Sequence, residues 1–255
     1  MKIVKIEEEP FHLLKYRSSG RNGVERKVQL PFYRVKVDLM PAGIKSIVMV
    51  SDLQGREEDE RNRLVGEAVA DELELLCELQ EIEAVSCVFL AGDLYDYPDC
   101  RKLGGTGDVT SVWNAFAKIA PFVVGVHGNH DIVQEKDLAS NVVVLDGEVK
   151  KIAGLNVGGV SGIVGREDRN QRKSESAFQK ALQKALTDKT EVMLLHQGPD
   201  DPINNQIGDP LTRSYLEKKG RALVVFGHCH WSVPLIEIGN NQVLNVDNRL
   251  YVLSE

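Results

Sequence analysis

Short apolar runs rich in β-branched residues recur along the chain and alternate with segments of helical periodicity. Five of these runs are apolar at nearly every position, which is typical of interior strands covered on both faces. They span residues 44–50, 85–91, 122–126, 192–195 and 222–226. The alternation of such strands with helices predicts an α/β layer structure.

Three amphipathic segments between the strands predict helices that lie on the surface of the sheet. Residues 62–81 place leucine and alanine at helical spacing, with glutamate and aspartate on the opposite face. Residues 174–186 repeat this pattern, and residues 110–119 predict a shorter third helix. Each segment therefore has one apolar face for packing.

Both ends of the chain carry strand patterns of a different kind. Residues 231–253 alternate between apolar and polar positions, with turn residues at 239–241 and 247–248. This pattern predicts an antiparallel meander that closes the second half of the sheet system. Residues 1–43 contain the alternating stretch FYRVKVDL and the polar stretch RSSGRNG, which predict a hairpin ahead of the core. We expect a single domain over residues 1–255, with this hairpin as its extension.

A polar cluster follows each of the five apolar runs, where the predicted strand ends. The clusters read SDLQG, GDLYD, GNHD, HQG and GHCH in chain order. Because the carboxyl ends of strands in an open α/β sheet meet in one crevice, we expect these side chains to form one site. They offer carboxylates, imidazoles and amide oxygens without convergent thiolates, a set suited to catalytic Mn²⁺, Fe²⁺ or Zn²⁺.

The spacing within the clusters fits metal binding. Asp52 and Gln54 are two residues apart, as are His228 and His230, so on extended chain each pair projects to one side. Asn129 and His130 are adjacent and project differently. One of them can therefore hold metal while the other faces substrate.

In this order, the series D-x-[HQ], G-D-x-x-D, G-N-H-[DE], a single H after a strand and G-H-x-H resembles the calcineurin-like metallophosphoesterase family. The resemblance extends from Asp52 to His230. It implies a four-layer α/β sandwich, in which two facing mixed β-sheets are flanked by helices. It also implies a dinuclear-metal hydrolase of phosphate esters, in which a hydroxide bridging two divalent cations attacks the phosphorus.

The ligands of the two cations are implied by the same resemblance, residue by residue. One cation would be held by Asp52, Gln54, Asp93 and His230. The other would be held by Asp93, Asn129, His196 and His228. Asp93 would therefore bridge the two cations.

The resemblance also implies roles for three residues beside the metals. His130 would lie by the leaving oxygen, where it stabilises charge or donates a proton, and Asp131 would orient the His130 ring. Asp96 would accept a hydrogen bond from the distal N–H of a metal-bound imidazole.

Gln54 departs from the pattern, because most members of the family carry histidine at this position. A neutral amide oxygen is a harder and weaker ligand than imidazole, so metal occupancy at this site is in question. The same Asp-x-Gln resembles the manganese-dependent ADP-ribose/CDP-alcohol diphosphatases, which favours Mn²⁺ and a nucleotide diphosphate substrate. The alternative is a metal-binding scaffold or regulatory protein that lost turnover through Gln54.

Four arginines are candidates for phosphate binding, because a guanidinium offers two parallel donors to phosphate oxygens. Arg166, Arg169 and Arg172 lie in the polar segment REDRNQRK, and Arg56 follows the first cluster directly. The same segment is equally interpreted as an ordinary solvated loop.

Charge and composition narrow the substrate and the location. A net charge of −7 argues against an extended nucleic acid or an anionic membrane as partner, because such surfaces need clustered Lys and Arg. A small phosphodiester or nucleotide remains as the expected substrate. A protein phosphatase is disfavoured, since Tyr97-Pro98 stands where that branch of the family carries Arg-Gly.

The start MKIVKIEEEP turns acidic early, unlike a signal peptide, and no apolar run reaches the roughly 20 residues of a membrane span. We therefore expect a cytoplasmic protein. The sequence makes no prediction of its oligomeric state.

Overall fold

A computed structural model describes residues 1–255, with the following elements. The strands are β1 (Ile3–Ile6), β2 (His12–Ser19), β3 (Glu25–Val37), β4 (Ser46–Val50), β5 (Val85–Leu90), β6 (Gly107–Asp108), β7 (Phe122–Gly125), β8 (Asp131–Ile132), β9 (Val142–Val144), β10 (Glu148–Ile152), β11 (Leu155–Val160), β12 (Ile163–Val164), β13 (Arg172–Lys173), β14 (Val192–Gln197), β15 (Leu223–Gly227), β16 (Leu235–Ile238), β17 (Asn241–Asn245) and β18 (Leu250–Ser254). The helices are α1 (Val65–Glu78), α2 (Thr110–Ile119), α3 (Glu175–Ala185) and α4 (Pro210–Leu216). None of these helices has the length and apolar character needed to cross a membrane.

The strands form two large mixed sheets. The first has the order β1, β3, β18, β4, β5, β7, β9, with β2 paired to β3, and its strands β4, β5, β7 and β9 are mutually parallel. The second has the order β10, β11, β14, β15, β17, β16, in which only the two edge strands run antiparallel to their neighbours. The predicted interior strands thus divide between the sheets, three in the first and two in the second.

Alternation of apolar side chains along the interior strands produces four layers. In β4, Val48 and Val50 pack with α1 and α2, whereas Ile47 and Met49 face the second sheet. In β14, Leu194 faces the first sheet and Leu195 packs with α3 and α4. The layers are therefore helices, sheet, sheet and helices, which confirms the predicted four-layer α/β sandwich.

The prediction of a C-terminal meander was wrong in part. β16 and β17 pair antiparallel as expected, but β17 also pairs parallel with β15. β18 leaves this sheet and inserts between β3 and β4 of the first sheet. Alternating polarity identifies a strand with two unlike faces, and it cannot say in which sheet that strand pairs.

The N-terminal hairpin consists of β2 and β3, which pair continuously from His12 with Phe32 to Ser19 with Glu25. A short 3₁₀ turn, Arg21–Gly23, joins the two strands. At its other end β3 continues through the first sheet beside β18. The hairpin is therefore a projection of the first sheet.

Candidate active site

The five polar clusters lie together at one edge of the structure, where strands of both sheets end. Asp52 follows β4, Asp93 follows β5 and His228 follows β15. The loops touch across the boundary between the sheets, because the His228 backbone N–H donates to the Asp52 carboxylate at 2.9 Å. His196, near the end of β14, makes a 2.7 Å contact from Nδ1 to the carbonyl of Ala91 in the first sheet.

Three of the predicted ligands have the left-handed backbone conformation. The φ angles are 55° at Asp52, 58° at Asp93 and 68° at His228. Such conformations cost on the order of 1–3 kcal/mol each and persist where the surrounding structure imposes them, often at functional sites. The chain therefore turns sharply just past three strands and directs their side chains to one place.

Glycines beside these residues allow the loops to approach closely. Gly92 has a φ of 86°, and a Cβ at this position would collide with the backbone of Gly128. A Cβ at Gly128 would in turn collide with the carboxylate of Asp93. These glycines therefore serve the close packing of the loops, since any side chain there would collide with the neighbouring loop.

Asp93, His196 and His228 form the centre of the site. One ligand atom from each lies within 4.8 Å of the others. The Nε2 of His196 is 3.3 Å from an Asp93 oxygen, and the rings of His196 and His228 are 5.0 Å apart between centroids. Both His196 Nε2 and the Oδ1 of nearby Asn129 are buried without a hydrogen-bond partner. Unsatisfied nitrogen and oxygen atoms of this kind fit a divalent cation.

The pKa shifts of the residues at this centre also fit a bound cation. Burial alone lowers the pKa of His196, but the carboxylates of Asp93 and Asp52 outweigh it and raise that pKa to about 10. Burial, and then the charge of His196, lowers the pKa of His228 to about 4. Burial, and then Asp247, raises the pKa of the Asp52 carboxyl. The carboxylates therefore favour positive charge here, while the neutral ring of His228 suits metal ligation.

The ligands expected for the other cation do not all point to one place. Asp52 accepts hydrogen bonds from the Ser51 hydroxyl and the His228 backbone, and Gln54 donates from Nε2 to Asp93 at 3.2 Å. The His230 side chain is 56% exposed and lies 3.4 Å from an Asp247 oxygen. Its Nε2 is 3.1 Å from Arg249. The structure thus brings Gln54 to the centre and leaves His230 at the surface.

Asp131 does not orient the His130 ring as we expected. Its buried carboxylate accepts three backbone hydrogen bonds, from Asp93 and Gly128 at 2.8 Å and from Leu94 at 2.7 Å. His130 donates its own backbone N–H to Asp93, while its Nδ1 has no partner. The reason is that the Asp131 side chain lies between the loops after β5 and β7. Backbone N–H groups of these loops have no other acceptor there, and the carboxylate accepts their hydrogen bonds.

Asp96 and Arg56 also have roles other than those expected. The Asp96 carboxylate accepts from the backbone and hydroxyl of Ser19 in the hairpin, and no imidazole donates to it. The acceptor for His196 is instead the carbonyl of Ala91. Arg56 donates twice to the Asp96 carbonyl, at 3.0 and 2.7 Å, and so braces this loop instead of facing the site.

None of the remaining candidate arginines forms a hydrogen bond or ion pair with a predicted metal ligand. Arg166 pairs with Asp168 and is 71% exposed, Arg169 is exposed, and Arg172 packs along Gly165. Their segment touches the site through Asn170, whose amide donates to the carbonyls of Asn129 and Asp131. The segment therefore supports the GNHD loop through Asn170.

A cavity of about 580 Å³ opens over Asp52, Asp93, His130 and His228. Residues that the sequence did not single out also line it, among them Tyr16, Ser18, Arg26, Val28, Leu103, Asp247 and Asn248. The alternation of β2 and β3 could have indicated the hairpin residues, had the hairpin been assigned to the site. Asp247 was interpreted as a turn residue only, although the turn carries its carboxylate to Asp52 and His230.

The profile of the calcineurin-like phosphoesterase family matches residues 45–232, which include every polar cluster. The hairpin and Asp247 lie outside that range. Among solved structures, a phosphopantetheinyl hydrolase from Mycobacterium tuberculosis is similar, with 12% identity, a TM-score of 0.47, and coverage of 81% of this chain and 91% of that chain. No curated protein sequence matches the chain significantly.

Proposed function

This chain belongs to the calcineurin-like phosphoesterase family, and we propose that it hydrolyses a small phosphodiester or nucleotide with the help of two divalent cations. Phosphoester hydrolysis is the chemistry of the family. The observation that carries the proposal is the convergence of Asp93, His196 and His228 within 4.8 Å, with Asp93 and His228 lining a cavity.

The donor set fits the cations. Asp93, Asn129, His196 and His228 would hold one of them, and Asp52, Gln54 and Asp93 would contribute to the other. His230 would join this second set only by turning away from Arg249. Bound divalent cations polarise phosphoryl oxygens and activate water at neutral pH. The carboxylate and amide oxygens favour Mn²⁺, with Fe²⁺ or Zn²⁺ as the other candidates.

The protein groups have separable tasks in this reaction. Asp93 accepts hydrogen bonds from the His130 backbone and from Gln54, and both contacts favour the ionised carboxylate that would bridge the two cations. The His130 imidazole lines the cavity, and its Nδ1 is buried without a hydrogen-bond partner. From there it can hold a proton for the departing oxygen of the ester.

The cavity supports a small substrate. Its volume of about 580 Å³ lies within the ordinary range for small-molecule sites, about 300–1,000 Å³. Its lining contains three carboxylates, Asp52, Asp93 and Asp247, and the whole chain is acidic. A polyanionic strand would find little attraction across such a surface.

A second candidate function follows from Gln54 and His230. Gln54 donates to Asp93 in place of an imidazole nitrogen, and His230 lies at the surface beside Arg249. Weak occupancy of the second cation would leave a metal-binding scaffold with little or no turnover. This alternative shares the fold and the first metal with the enzyme.

The experiment is a turnover screen after removal of metal by chelation. Bis-p-nitrophenyl phosphate and p-nitrophenyl phosphate are offered with Mn²⁺, Zn²⁺ or Mg²⁺, and bound metal is counted by mass spectrometry in the same samples. Asp168→Ala is the matched control, since Asp168 pairs only with exposed Arg166. Metal-dependent cleavage of the diester supports the enzyme, bound metal without cleavage supports the scaffold, and failure to bind metal contradicts both.

A further inference from the structure

One wall of the cavity is formed by the N-terminal hairpin, outside all of the polar clusters. In an antiparallel pair, cross-strand partners lie on the same face, and every second residue shares it. Tyr16 pairs with Val28, and Ser18 pairs with Arg26, so these four side chains lie on one face of the hairpin. All four line the cavity. Lys27, on the opposite face, pairs with Glu58 instead.

This wall is tied firmly to the loops of the site. Ser18 donates its hydroxyl to the carbonyl of Gln54 at 2.7 Å, and Ser19 bonds twice to the Asp96 carboxylate. Arg17 and Arg56 exchange two backbone hydrogen bonds, at 2.8 and 2.7 Å. The hairpin therefore holds its inner face at a defined position above the metal-ligand candidates.

The inner face runs from the floor of the cavity to its rim. Tyr16 is 3% exposed and donates its hydroxyl to Asn248 at 2.7 Å, beside Asp247. Arg26 belongs to the next pair on this face, two residues further towards the hairpin tip than Val28, and is exposed. Two residues along an antiparallel strand advance by about 7 Å. The Arg26 guanidinium is thus an outer group, above the floor where the phosphoryl group reacts.

Arg26 is the single arginine or lysine among the cavity residues, which include three carboxylates. Its guanidinium makes no hydrogen bond or ion pair within the chain, in contrast to Arg17, which pairs with Glu25. The side-chain stem lies across Gly20, where a Cβ would come within 2.6 Å of the Arg26 Cδ. The Arg26 side chain therefore packs against the backbone of Gly20, and its guanidinium has no partner within the protein.

We infer that Arg26 binds a second, non-reacting phosphate of the substrate at the rim, while the first phosphate reacts at the floor. A guanidinium donates two parallel hydrogen bonds to phosphate oxygens and keeps its charge at any physiological pH. The substrate class is then a diphosphate ester, and Arg26 is a positioning and specificity residue. This inference rests on the proposed function for the identity of the floor.

The test compares the binding of inorganic phosphate and pyrophosphate to Mn²⁺-loaded protein by titration calorimetry. Arg26→Ala should weaken pyrophosphate binding by about 10- to 100-fold and phosphate binding much less, as expected for the loss of one charge-assisted contact. Arg26→Lys should restore part of the difference, since it keeps the charge and loses the paired donors. Lys27→Ala, the same loss of charge on the outer face, should leave both affinities unchanged.

The outcomes separate the inference from the proposed function. Equal pyrophosphate affinity in wild type and Arg26→Ala overturns the inference, as does an equal loss in Lys27→Ala, which would indicate general charge attraction. Cleavage of bis-p-nitrophenyl phosphate by the same preparation tests the function separately. Absence of cleavage with an Arg26-dependent preference for pyrophosphate would reject the hydrolase and retain the anion site.

Discussion

Replacing Asp131 by alanine removes a buried carboxylate that joins the loops after β5 and β7. Three buried backbone N–H groups, those of Asp93, Leu94 and Gly128, then lose their acceptor. Each buried donor left unsatisfied costs about 1–3 kcal/mol. The loops that lose this support carry Asp93 and Asn129, so we expect the effect to reach the candidate metal site as well as the fold.

The magnitude follows from these donors. Three of them together would cost about 3–9 kcal/mol if nothing relaxed. Burial, and then the like charge of Asp93, raises the pKa of Asp131 to about 6, so the carboxylate charge itself is not stabilising. Replacement by alanine also removes this unfavourable charge. The expected loss of stability therefore lies in the lower part of the range for three unsatisfied donors. We expect Asp131→Ala to lower the free energy of unfolding by roughly 3–5 kcal/mol at pH 7.5.

The assay is urea unfolding followed by tryptophan fluorescence. Trp113 and Trp231 are both fully buried, one on the outer side of each sheet, so the signal reports both halves of the structure. Asp168→Ala is the control, an exposed carboxylate whose loss should change stability by less than about 0.5 kcal/mol. If Asp131→Ala lost less than about 1 kcal/mol and only turnover fell, the carboxylate would serve catalysis, and our reasoning would be refuted.

Three further predictions concern the site. Asp93→Asn should abolish metal-dependent hydrolysis and lower the metal content, because it removes the charge expected to bridge two cations; turnover within tenfold of wild type would contradict the bridge. His130→Ala should lower turnover by about 10²- to 10⁴-fold, least for good leaving groups, with metal content unchanged by mass spectrometry. Loss of one metal equivalent in that variant would make His130 a ligand. Gln54→His should raise metal affinity at its site and relax the preference for Mn²⁺ in titrations after chelation, whereas identical titrations would show that Gln54 is no ligand.

The interior strands and helices could be predicted because their residues repeat a local pattern. Helix α2 begins at Thr110 and ends at Ile119, as its periodicity predicts. The pairing of β18 with β3 and β4 could not be predicted in this way, since its alternation fits either sheet equally. Pairing depends on contacts between segments distant in sequence, which polarity patterns do not encode.

The same distinction between local patterns and long-range contacts explains which residues of the candidate site could be predicted. The clusters at strand ends point to one edge of the structure because strand direction determines where they meet. The roles of Asp131 and Asp96 depend instead on which N–H groups lack an acceptor after folding, and that is invisible in a motif. Arg26 and Asp247 reach the cavity through the hairpin and through the crossing from β17 to β18. No local motif marks either residue as part of the site.

The candidate ligands come from two separate sheets, so their spacing depends on how those sheets pack. Asp93 belongs to a loop of the first sheet, and His228 belongs to a loop of the second. Met49 and Leu194 lie in the apolar layer between the sheets. Because close-packed interiors transmit changes in volume, trimming or enlarging such residues would alter the distance between the two halves of the centre. Selectivity for one cation would then depend on the packing between the sheets as well as on the ligands, and adaptation to another cation could proceed through core residues that bind no metal themselves.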